Sequence, residues 1–425
     1  MSLTKLLPTP SDRMGLLWNL LALSDACILE YGPAGTTHYG LGLIGDLDLK
    51  TDNRYFVSHM TETDVVMGNS KNLEKAVREI DLTYKPKHIF VVGSSVSTTI
   101  GADLNGICHY LQRDVQARLH VHNTGGFGGN YRVGTEAVYR LLADLVEEIP
   151  LNSPPVTTGT NLTAGLSSIA ADAVPISATP SEHKLTYNLL GFSPDHFRSL
   201  SDLFEVQRLL KEGLNLELAA SFTINGAIDK LPVAASADIS LVLRPEALPL
   251  AQALQARFNI PYLEPNFYGY HPCLTALRAI ATQLGITVNA SVENHLNARI
   301  KRCAMLPYIL RRATAPVLLY SVAHAEVNTS LAAALEPLGL HFTAQLEPTA
   351  PEAERLAAIA TWSNGLIFAD QESLDLAAAS NSKVLISFPW YSTQVLATHL
   401  PFMGSRGMDF ILEQVYAYLI KERIM

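Results

Sequence analysis

The sequence predicts an α/β protein made of three Rossmann-like domains with parallel sheets. Short β-branched runs alternate with amphipathic helical patterns along the 425-residue chain. This alternation is typical of parallel strands joined by right-handed helical crossovers. The length indicates two or three domains. We therefore expect ligands at the carboxyl ends of strands, where open α/β sheets bind them.

The predicted strands fall into three blocks of four, one block for each expected domain. We expect the domains at 1–150, 165–300 and 301–425, with a Pro, Ser, Thr and Gly-rich linker at 151–165. The strand sequences are ACILEY, RYFVS, HIFVVG and ARLHVHN, then KLTYNLLG, NLELAASF, ADISLVL and IPYLEP, then PVLLYSV, GLHFTAQ, GLIFAD and KVLISF. Periodic patterns such as NSKNLEKAVREIDLTY and LPLAQALQARF predict the helices between them.

Composition argues against several classes of protein. A net charge of −9 and a pI near 5.8 disfavour nucleic-acid binding, which normally needs a basic surface. No apolar run reaches the roughly 18 residues that cross a bilayer. The first residues show no signal-peptide pattern, and the four cysteines form no C-x-x-C pair. We expect a cytoplasmic protein that binds neither membrane nor nucleic acid.

Two turns after predicted strands carry hydroxyls instead of thiols. YGPAGTTHYG, residues 31–40, runs from a strand through Gly32 and Gly35 to Thr36, where a helix is expected. GSSVSTTIG, residues 93–101, follows the strand HIFVVG in the same way. Backbone N–H groups at such turns can hold an anion. The alternative is that the hydroxyls only cap short helices. We favour this interpretation for Thr36.

Six segments along the chain, in order, resemble the catalytic component of nitrogenase and its relatives, which include the cofactor-assembly scaffold and the dark-operating protochlorophyllide and chlorophyllide reductases. The segments are YGPAGTTHY, SHMTETDVVMGNSKNLEKAV, YKPKHIFVVGSSVSTTIGADLNGI, NTGGFGG, IPYLEPNFYGYHPCLTALRAIA and MGSRGMDF. The resemblance implies three Rossmann-like domains of the nitrogenase component 1 type. It spans nearly the whole chain.

The resemblance also places hydroxyls where the family has cluster thiolates. The three cysteine positions fall on Ser11, Thr36 and Ser95, and alcohols are poor substitutes for thiolates. The two ligand positions of the nitrogenase active-site cofactor fall on Leu243 and Arg406. Three accounts stay open. A partner chain supplies the thiolates, or the chain binds an organic or differently ligated cofactor, or it is a scaffold without a redox centre.

Two groups of candidate site residues follow. The first is expected at a subunit interface beside a cofactor and comprises Ser11, Gly32, Gly35, Thr36, Glu62 and Ser95. Glu62 and Asp64 also fit a capping box at a helix start. The second group is expected to line a substrate pocket between the domains and comprises Asn130, Arg132, Asn266, His271 and Arg406. Loop structure, domain packing or plain solvation are the alternatives for the second group. No metal site within the chain is predicted.

The function implied by the resemblance is that of an oxidoreductase subunit in a nitrogenase-like reductase complex. Such a subunit pairs with a homologous chain as a homodimer, heterodimer or heterotetramer. It receives electrons from a separate ATP-dependent iron–sulfur reductase, and the chain itself has no G-x-x-x-x-G-K-[ST] loop. An iron–sulfur cluster or other metallocofactor would be held mainly by the partner, and by none of this chain's cysteines. The alternative function is a non-catalytic cofactor carrier, an assembly scaffold or a small-molecule-binding protein.

Overall fold

The described part of the chain contains three parallel sheets, which confirms the predicted α/β class. The computed structural model describes residues 5–36, 54–151, 184–311, 316–390 and 400–422, and positions 40, 42, 44, 47 and 49. Within them, each block of four predicted strands forms one four-stranded sheet. The predicted linker and the expected start of the second domain at residue 165 lie outside the described residues, apart from Leu151. The domain limits therefore stay predictions.

The three sheets share one topology. Their strand orders are β2-β1-β3-β4, β6-β5-β7-β8 and β10-β9-β11-β12. The strands are β1 Ala26–Tyr31, β2 Tyr55–Val57, β3 His88–Gly93, β4 Arg118–His122, β5 Thr186–Phe192, β6 Glu217–Thr223, β7 Ile239–Val242, β8 Tyr262–Leu263, β9 Leu319–Val322, β10 Phe342–Leu346, β11 Leu366–Ala369 and β12 Ser382–Leu385. In each sheet the order reverses between the first and third strands of the block, which is where open α/β sheets form a binding crevice.

Helices separate the strands, as the sequence pattern predicts. They are α1 Asp12–Ala22, α2 Glu62–Met67, α3 Lys71–Tyr84, α4 Ser95–Thr99, α5 Leu104–Leu111, α6 Tyr131–Val146, α7 Ser199–Leu214, α8 Leu231–Ala234, α9 Leu248–Phe258, α10 Tyr270–Leu284, α11 Ala290–Cys303, α12 Leu306–Leu310, α13 Ala325–Leu335, α14 Glu352–Ile359, α15 Gln371–Leu376 and α16 Gly404–Lys421. Short 3₁₀ turns lie at Ile228–Lys230, Pro245–Ala247 and Glu336–Leu338. None of the described helices is long and apolar enough to cross a membrane.

One apolar core connects the three sheets. Trp18 on α1, Tyr187 on β5 and Phe368 on β11 belong to the same buried cluster. The Trp18 ring lies 5.3 Å from the Tyr131 ring and 5.5 Å from the Phe388 ring, measured between centroids. Burying aromatic rings of this size stabilises a fold by roughly 1.5–3 kcal/mol each. The three sheets therefore share one apolar core.

Helix α1 is also attached by polar contacts to the first and second sheets. The Arg13 guanidinium pairs with the buried carboxylate of Glu30 on β1. Asn19 accepts a hydrogen bond of 2.7 Å from the hydroxyl of Thr223 at the end of β6. These buried contacts hold the start of α1, and with it Ser11, in a fixed place.

Candidate functional site

A cavity lies between the second and third sheets, at the carboxyl ends of their strands. We call it the central cavity; it contains about 620 Å³ of space not filled by protein, part of it open to solvent. Asp195 follows β5, Leu243 and Arg244 follow β7, and His324 follows β9. Its apolar wall comprises Phe197, Leu243, Phe267, Ile386, Phe388 and Met403. This is the position that the doubly wound topology predicts for a ligand.

Five charged side chains form a network along one side of this cavity. Arg244 donates to Asp195 over 2.7 Å and to Glu246 over 3.2 Å. Arg132, at the start of α6, pairs with Glu246 and donates to Glu326 over 3.2 Å. The charged network thus connects the first, second and third sheets. Asp195, Arg244 and Glu246 are at most 6% exposed, so their mutual attraction is weakly screened.

The arginines keep the buried acids of the network ionised. Burial alone would raise the pKa of Glu246, but Arg244 and Arg132 hold it at about 2. Burial likewise favours the neutral form of Asp195, and Arg244 overcomes it, so that the pKa of Asp195 is lowered. The pKa of Arg244 is raised well above its ordinary value, because Asp195 and Glu246 outweigh the effect of its burial. At neutral pH the buried part of the network is fully charged.

Two cavity residues carry buried nitrogen atoms without a hydrogen-bond partner among the described residues. They are Nε of Arg244 and Nδ1 of His324. The other ring nitrogen of His324, Nε2, is hydrogen-bonded to the hydroxyl of Tyr131. Leaving a buried polar atom unpaired costs about 1–3 kcal/mol. Unpaired atoms in a cavity are therefore a sign that something else is meant to pair with them.

The hydroxyl-bearing turns come together on another face, at the carboxyl ends of β1 and β3. A Cβ on Gly32 would lie 2.5 Å from the Ser94 side chain. A Cβ on Gly125 would lie 2.6 Å from Thr98, and one on Gly126 would lie 3.0 Å from the Ser11 hydroxyl. We call this region the hydroxyl surface, comprising Ser11, Gly32, Gly35, Thr36, Ser94, Ser95, Thr98, Gly125 and Gly126. The approaches of Gly32 to Ser94 and of Gly126 to Ser11 bring three of the turns together. That a cofactor or a subunit binds there stays a prediction.

Most hydroxyls on that surface are used by the turns themselves. Ser94 caps the five-residue helix α4 by accepting a 3.1 Å hydrogen bond from the N–H of Ser97. Thr98 donates to Asn123, and Thr99 donates to the carbonyl of Ser95. Thr36 donates to the carbonyl of Pro33 over 2.8 Å. Because residues 34–36 are already helical, Thr36 is not the helix N-cap that the sequence predicts. The capped-loop interpretation of residues 94–99 accounts for these bonds.

The two glycines of the first turn differ in their surroundings. Gly32 is needed, because a side chain there would overlap Ser94. A Cβ on Gly35 would meet no described atom within 4 Å. Contacts within this chain therefore exclude a side chain at Gly32 but not at Gly35. The capping box expected at Glu62 and Asp64 involves Thr61 and Asp64, while Glu62 is exposed.

The five predicted pocket residues do not all reach the central cavity. Asn266 lines it, and its side chain accepts a 2.8 Å hydrogen bond from the N–H of Tyr268. Arg132 lies in the charged network, whereas Asn130 caps α6 by accepting from the N–H of Arg132. His271 is exposed on α10. Arg406 lies in an outer groove, 3.7 Å from Glu205, with 63% of its side chain exposed.

The comparison with known families decides the classification. The profile of the nitrogenase component 1 type oxidoreductases matches residues 11–420. The chain belongs to this family. Curated relatives include the nitrogenase iron-molybdenum cofactor biosynthesis protein NifE of Methanosarcina barkeri, which is 27% identical over 68% of this chain and 58% of that protein. NifE of Nostoc sp. is 25% identical over 72% of this chain and 58% of that protein. The matched part thus spans somewhat under two thirds of these relatives.

A solved structure shows the same fold as this family member. Nitrogenase Cp1 at pH 6.5 superposes with a TM-score of 0.69, covers 99% of this chain and 95% of its own, and is 16% identical. The structural likeness concerns the fold alone. It confirms the three-domain, nitrogenase component 1-like architecture that the sequence predicts.

The donor atoms of this family member do not fit an iron–sulfur cluster ligated by the chain itself. Burial raises the pKa of Cys27, against the opposing charge of Arg54, and that of Cys108, both to about 12. Burial also raises the pKa of Cys273 and Cys303. All four thiols are buried, and no two of them lie in a C-x-x-C pair. Among the described residues, no three His, Cys, Asp or Glu side chains form a group that could hold a metal ion.

Sequence reasoning missed the most unusual residues of the cavity. Arg244 and His324 each stand two residues after the end of a buried strand, which is a usable signal for a residue at the ligand-binding edge. The implied thiolate position, Leu243, does line the cavity, next to Arg244. The implied imidazole position, Arg406, is absent from the cavity lining. His324 provides an imidazole in the cavity, on a different element.

Proposed function

We propose that the chain is a ligand-holding subunit, of the kind that carries or assembles a cofactor, and that the central cavity binds the ligand without thiolates. The observation that supports this is the cavity at the carboxyl ends of β5, β7 and β9, where buried nitrogens of Arg244 and His324 lack partners. Leu243 stands where the resemblance implies a thiolate. The relatives' description as cofactor biosynthesis proteins supports the same function.

The experiment is purification under anaerobic conditions, followed by unfolding and analysis of released material by mass spectrometry and metal analysis. We expect a non-covalently held ligand near one equivalent per chain. Leu243→Trp, which would fill the cavity, should remove it, and Leu82→Trp on exposed α3 is the control. If both variants carry the same material as the original chain, the cavity is not the binding site.

Iron and sulfide analysis of the same samples tests the cofactor proposal. The chain purified alone should carry no stoichiometric iron–sulfur cluster, because Ser11, Thr36 and Ser95 offer only hydroxyls. A metallocofactor at the hydroxyl surface is proposed to depend mainly on thiolates of a partner chain. About four irons per chain with matching sulfide, in the absence of a partner, would contradict this.

We further propose that the hydroxyl surface is where a second subunit binds, in a homodimer or heteromer. Phe127, in the turn beside Gly126, is 68% exposed, and Ile100 after α4 is 37% exposed. Phe127→Asp should weaken subunit association at least tenfold in light scattering or co-purification, because it places a charge in an apolar contact. Leu82→Asp is the matched control at an equally exposed site. A chain that stays monomeric at micromolar concentration and retains no partner contradicts the proposal.

An electron-receiving reductase subunit is the second candidate. It is favoured by the match of residues 11–420 to the nitrogenase component 1 type oxidoreductases. This function requires an ATP-dependent iron–sulfur reductase and a cysteine-bearing homologous subunit. Reconstitution with both should stimulate ATP hydrolysis and consume reductant, whereas a carrier releases its ligand unchanged.

A further inference from the structure

We propose that the central cavity takes a neutral ligand that presents a carbonyl oxygen or a ring nitrogen to the N–H groups of His324 and Arg244. This inference rests on the proposed ligand-holding function and adds the chemical class of the ligand. The two side chains line the same cavity, and each is at least nine-tenths buried. Their unpaired nitrogens, Nδ1 and Nε, are the atoms that the ligand would satisfy.

The hydrogen bond to Tyr131 determines which ring nitrogen of His324 carries the proton. Burial and the neighbouring Arg244 lower the pKa of His324 to about 4, so its ring is neutral at pH 7. Burial also raises the pKa of Tyr131 well above its ordinary value, so its hydroxyl keeps its proton. That proton has one described acceptor, Nε2 of His324. With Nε2 accepting, the single ring proton must be on Nδ1, which makes Nδ1 a donor.

Arg244 offers a second donor that is also unused. Its two terminal nitrogens are engaged by Asp195 and Glu246. Its Nε always carries a hydrogen and has no partner among the described residues. Two unpaired donors in one cavity therefore call for a hydrogen-bond acceptor on the ligand. A donor-only ligand, such as an ammonium group, would leave both unsatisfied.

The charge of the surrounding network selects a neutral acceptor over an anionic one. Two arginines, Arg132 and Arg244, face three carboxylates, Asp195, Glu246 and Glu326. The network is therefore already one negative charge in excess. A further carboxylate among these buried groups would be repelled and would also lose its hydration. A carbonyl oxygen accepts the same two hydrogen bonds without adding a charge.

The apolar wall of the cavity indicates an apolar body for the ligand. Phe197, Phe267 and Phe388 line it together with Leu243 and Met403. Phe388 is held edge-on against Trp18 and Trp390, at 5.5 and 5.4 Å between ring centroids. Fixed aromatic side chains suit a flat apolar frame. The ligand class is thus a flat, largely apolar molecule with at least one neutral acceptor.

Three probes of nearly the same shape test the ligand class. Acetophenone presents a neutral carbonyl, benzoate presents a carboxylate, and α-methylstyrene has no acceptor. Binding to the full chain is measured by titration with observation of protein NMR signals. We expect acetophenone to bind at least tenfold more tightly than the other two. Tighter binding of benzoate, or equal binding of α-methylstyrene, would overturn the proposal while leaving the cavity as a binding site.

Two variants test whether the preference for acetophenone depends on Nδ1 of His324 and Nε of Arg244. His324→Phe keeps an aromatic ring but removes Nδ1, and Arg244→Lys keeps the charge beside Asp195 but removes the Nε donor. Each should reduce the preference for acetophenone over α-methylstyrene at least fivefold. A folded His324→Phe protein that keeps the full preference overturns the role of His324. The ¹⁵N shifts of the His324 ring in the unaltered chain give an independent result, since a proton on Nε2 would also overturn it.

Failure of the proposed function gives a different pattern. In that case no probe binds, and Leu243→Trp retains the same co-purified material as the original chain.

The variant Tyr131→Phe tests whether Tyr131 positions the proton of His324, because Tyr131 acts on the ligand only through His324. It should shift the ring proton towards Nε2 in the ¹⁵N spectrum and weaken acetophenone binding, with Phe56→Leu in the first sheet as a control. An unchanged spectrum and affinity in Tyr131→Phe would contradict the tautomer argument.

Discussion

The hydroxyl surface and the central cavity lie at equivalent places in their sheets, but the hydroxyls of the first are bonded whereas two nitrogens of the second are not. At the hydroxyl surface, Ser94, Thr98 and Thr36 bond to neighbouring groups of the same chain. In the central cavity, Arg244 and His324 leave buried nitrogens unpaired. A turn whose hydroxyls are already bonded can be stable without a ligand, whereas unpaired buried donors cost about 1–3 kcal/mol each. Unpaired nitrogens that line a cavity are therefore a better guide to a ligand site than hydroxyls that are already bonded.

Breaking the charged network should have the largest effect on stability. Arg244→Met would leave the buried carboxylate of Asp195 with the Ser193 hydroxyl and no cation. We expect a loss of about 3–5 kcal/mol in the free energy of unfolding, because an uncompensated charge stays buried. The measurement is urea unfolding at pH 7. Arg406→Met is the control, since that side chain is mostly exposed and Glu205 keeps Arg208, so less than about 0.5 kcal/mol is expected. Equal losses in the two variants would contradict the distinction.

Acid should lower the free energy of unfolding, because His324 in the cavity resists protonation in the folded chain. The pKa of its ring falls from 6.5 in the unfolded chain to about 4 in the folded one, because burial, Arg244 and Arg132 outweigh Glu326 and Asp195. The unfolded chain then binds more protons between these values, so stability is complete above about 6.5 and is lost as pH falls towards 4. The loss is on the order of 3 kcal/mol.

Unfolding measured at two pH values checks the contribution of His324. Urea unfolding at pH 7 and pH 4.5 should show a smaller difference for His324→Phe than for the original chain. His120, whose pKa is lowered to about 3 mainly by burial, supplies a similar acid effect in both proteins and cancels in the comparison. The same pH dependence in both would show that His324 does not titrate as stated.

Substitutions of Gly32 and Gly35, the two glycines of the first turn, should have the next largest effect on the free energy of unfolding. Gly32→Ala places a Cβ 2.5 Å from the Ser94 side chain, and overpacking of this kind costs about 1–3 kcal/mol. Gly35→Ala meets no described atom within 4 Å and should leave the stability of the isolated chain within about 0.5 kcal/mol. Thermal unfolding of the two variants measures the difference. If Gly35→Ala nevertheless abolishes subunit association, its open side faces a partner.

The sequence predicted the fold far better than the central cavity. Strands such as ACILEY and HIFVVG are mostly apolar and buried along almost their whole length, and buried parallel strands need such runs wherever they occur. The contacts of the cavity depend on distant parts of the chain. Tyr131 and His324 are 193 positions apart, and Arg132 and Glu246 are 114 apart. No local pattern predicts such pairs. The position of Arg244 and His324 just after buried strands was a usable signal that was not used, while exposed His271 and Arg406 were selected for their positions in motifs.

The smallest expected effect separates a hydroxyl that stabilises the turn from one that is available to a partner. Ser94 accepts from the N–H of Ser97 and caps α4, so Ser94→Ala should cost about 1 kcal/mol. Ser95, its neighbour, stands at an implied thiolate position, and its carbonyl, not its hydroxyl, accepts from Thr99. Ser95→Ala should therefore change the free energy of unfolding by less than about 0.5 kcal/mol. Urea unfolding of the isolated chain measures both variants, and co-purification measures their effect on assembly. A Ser95→Ala chain that folds normally but loses a partner or a bound cofactor would show that the hydroxyl surface still binds something, and the contrast with the central cavity would then be one of partner against ligand.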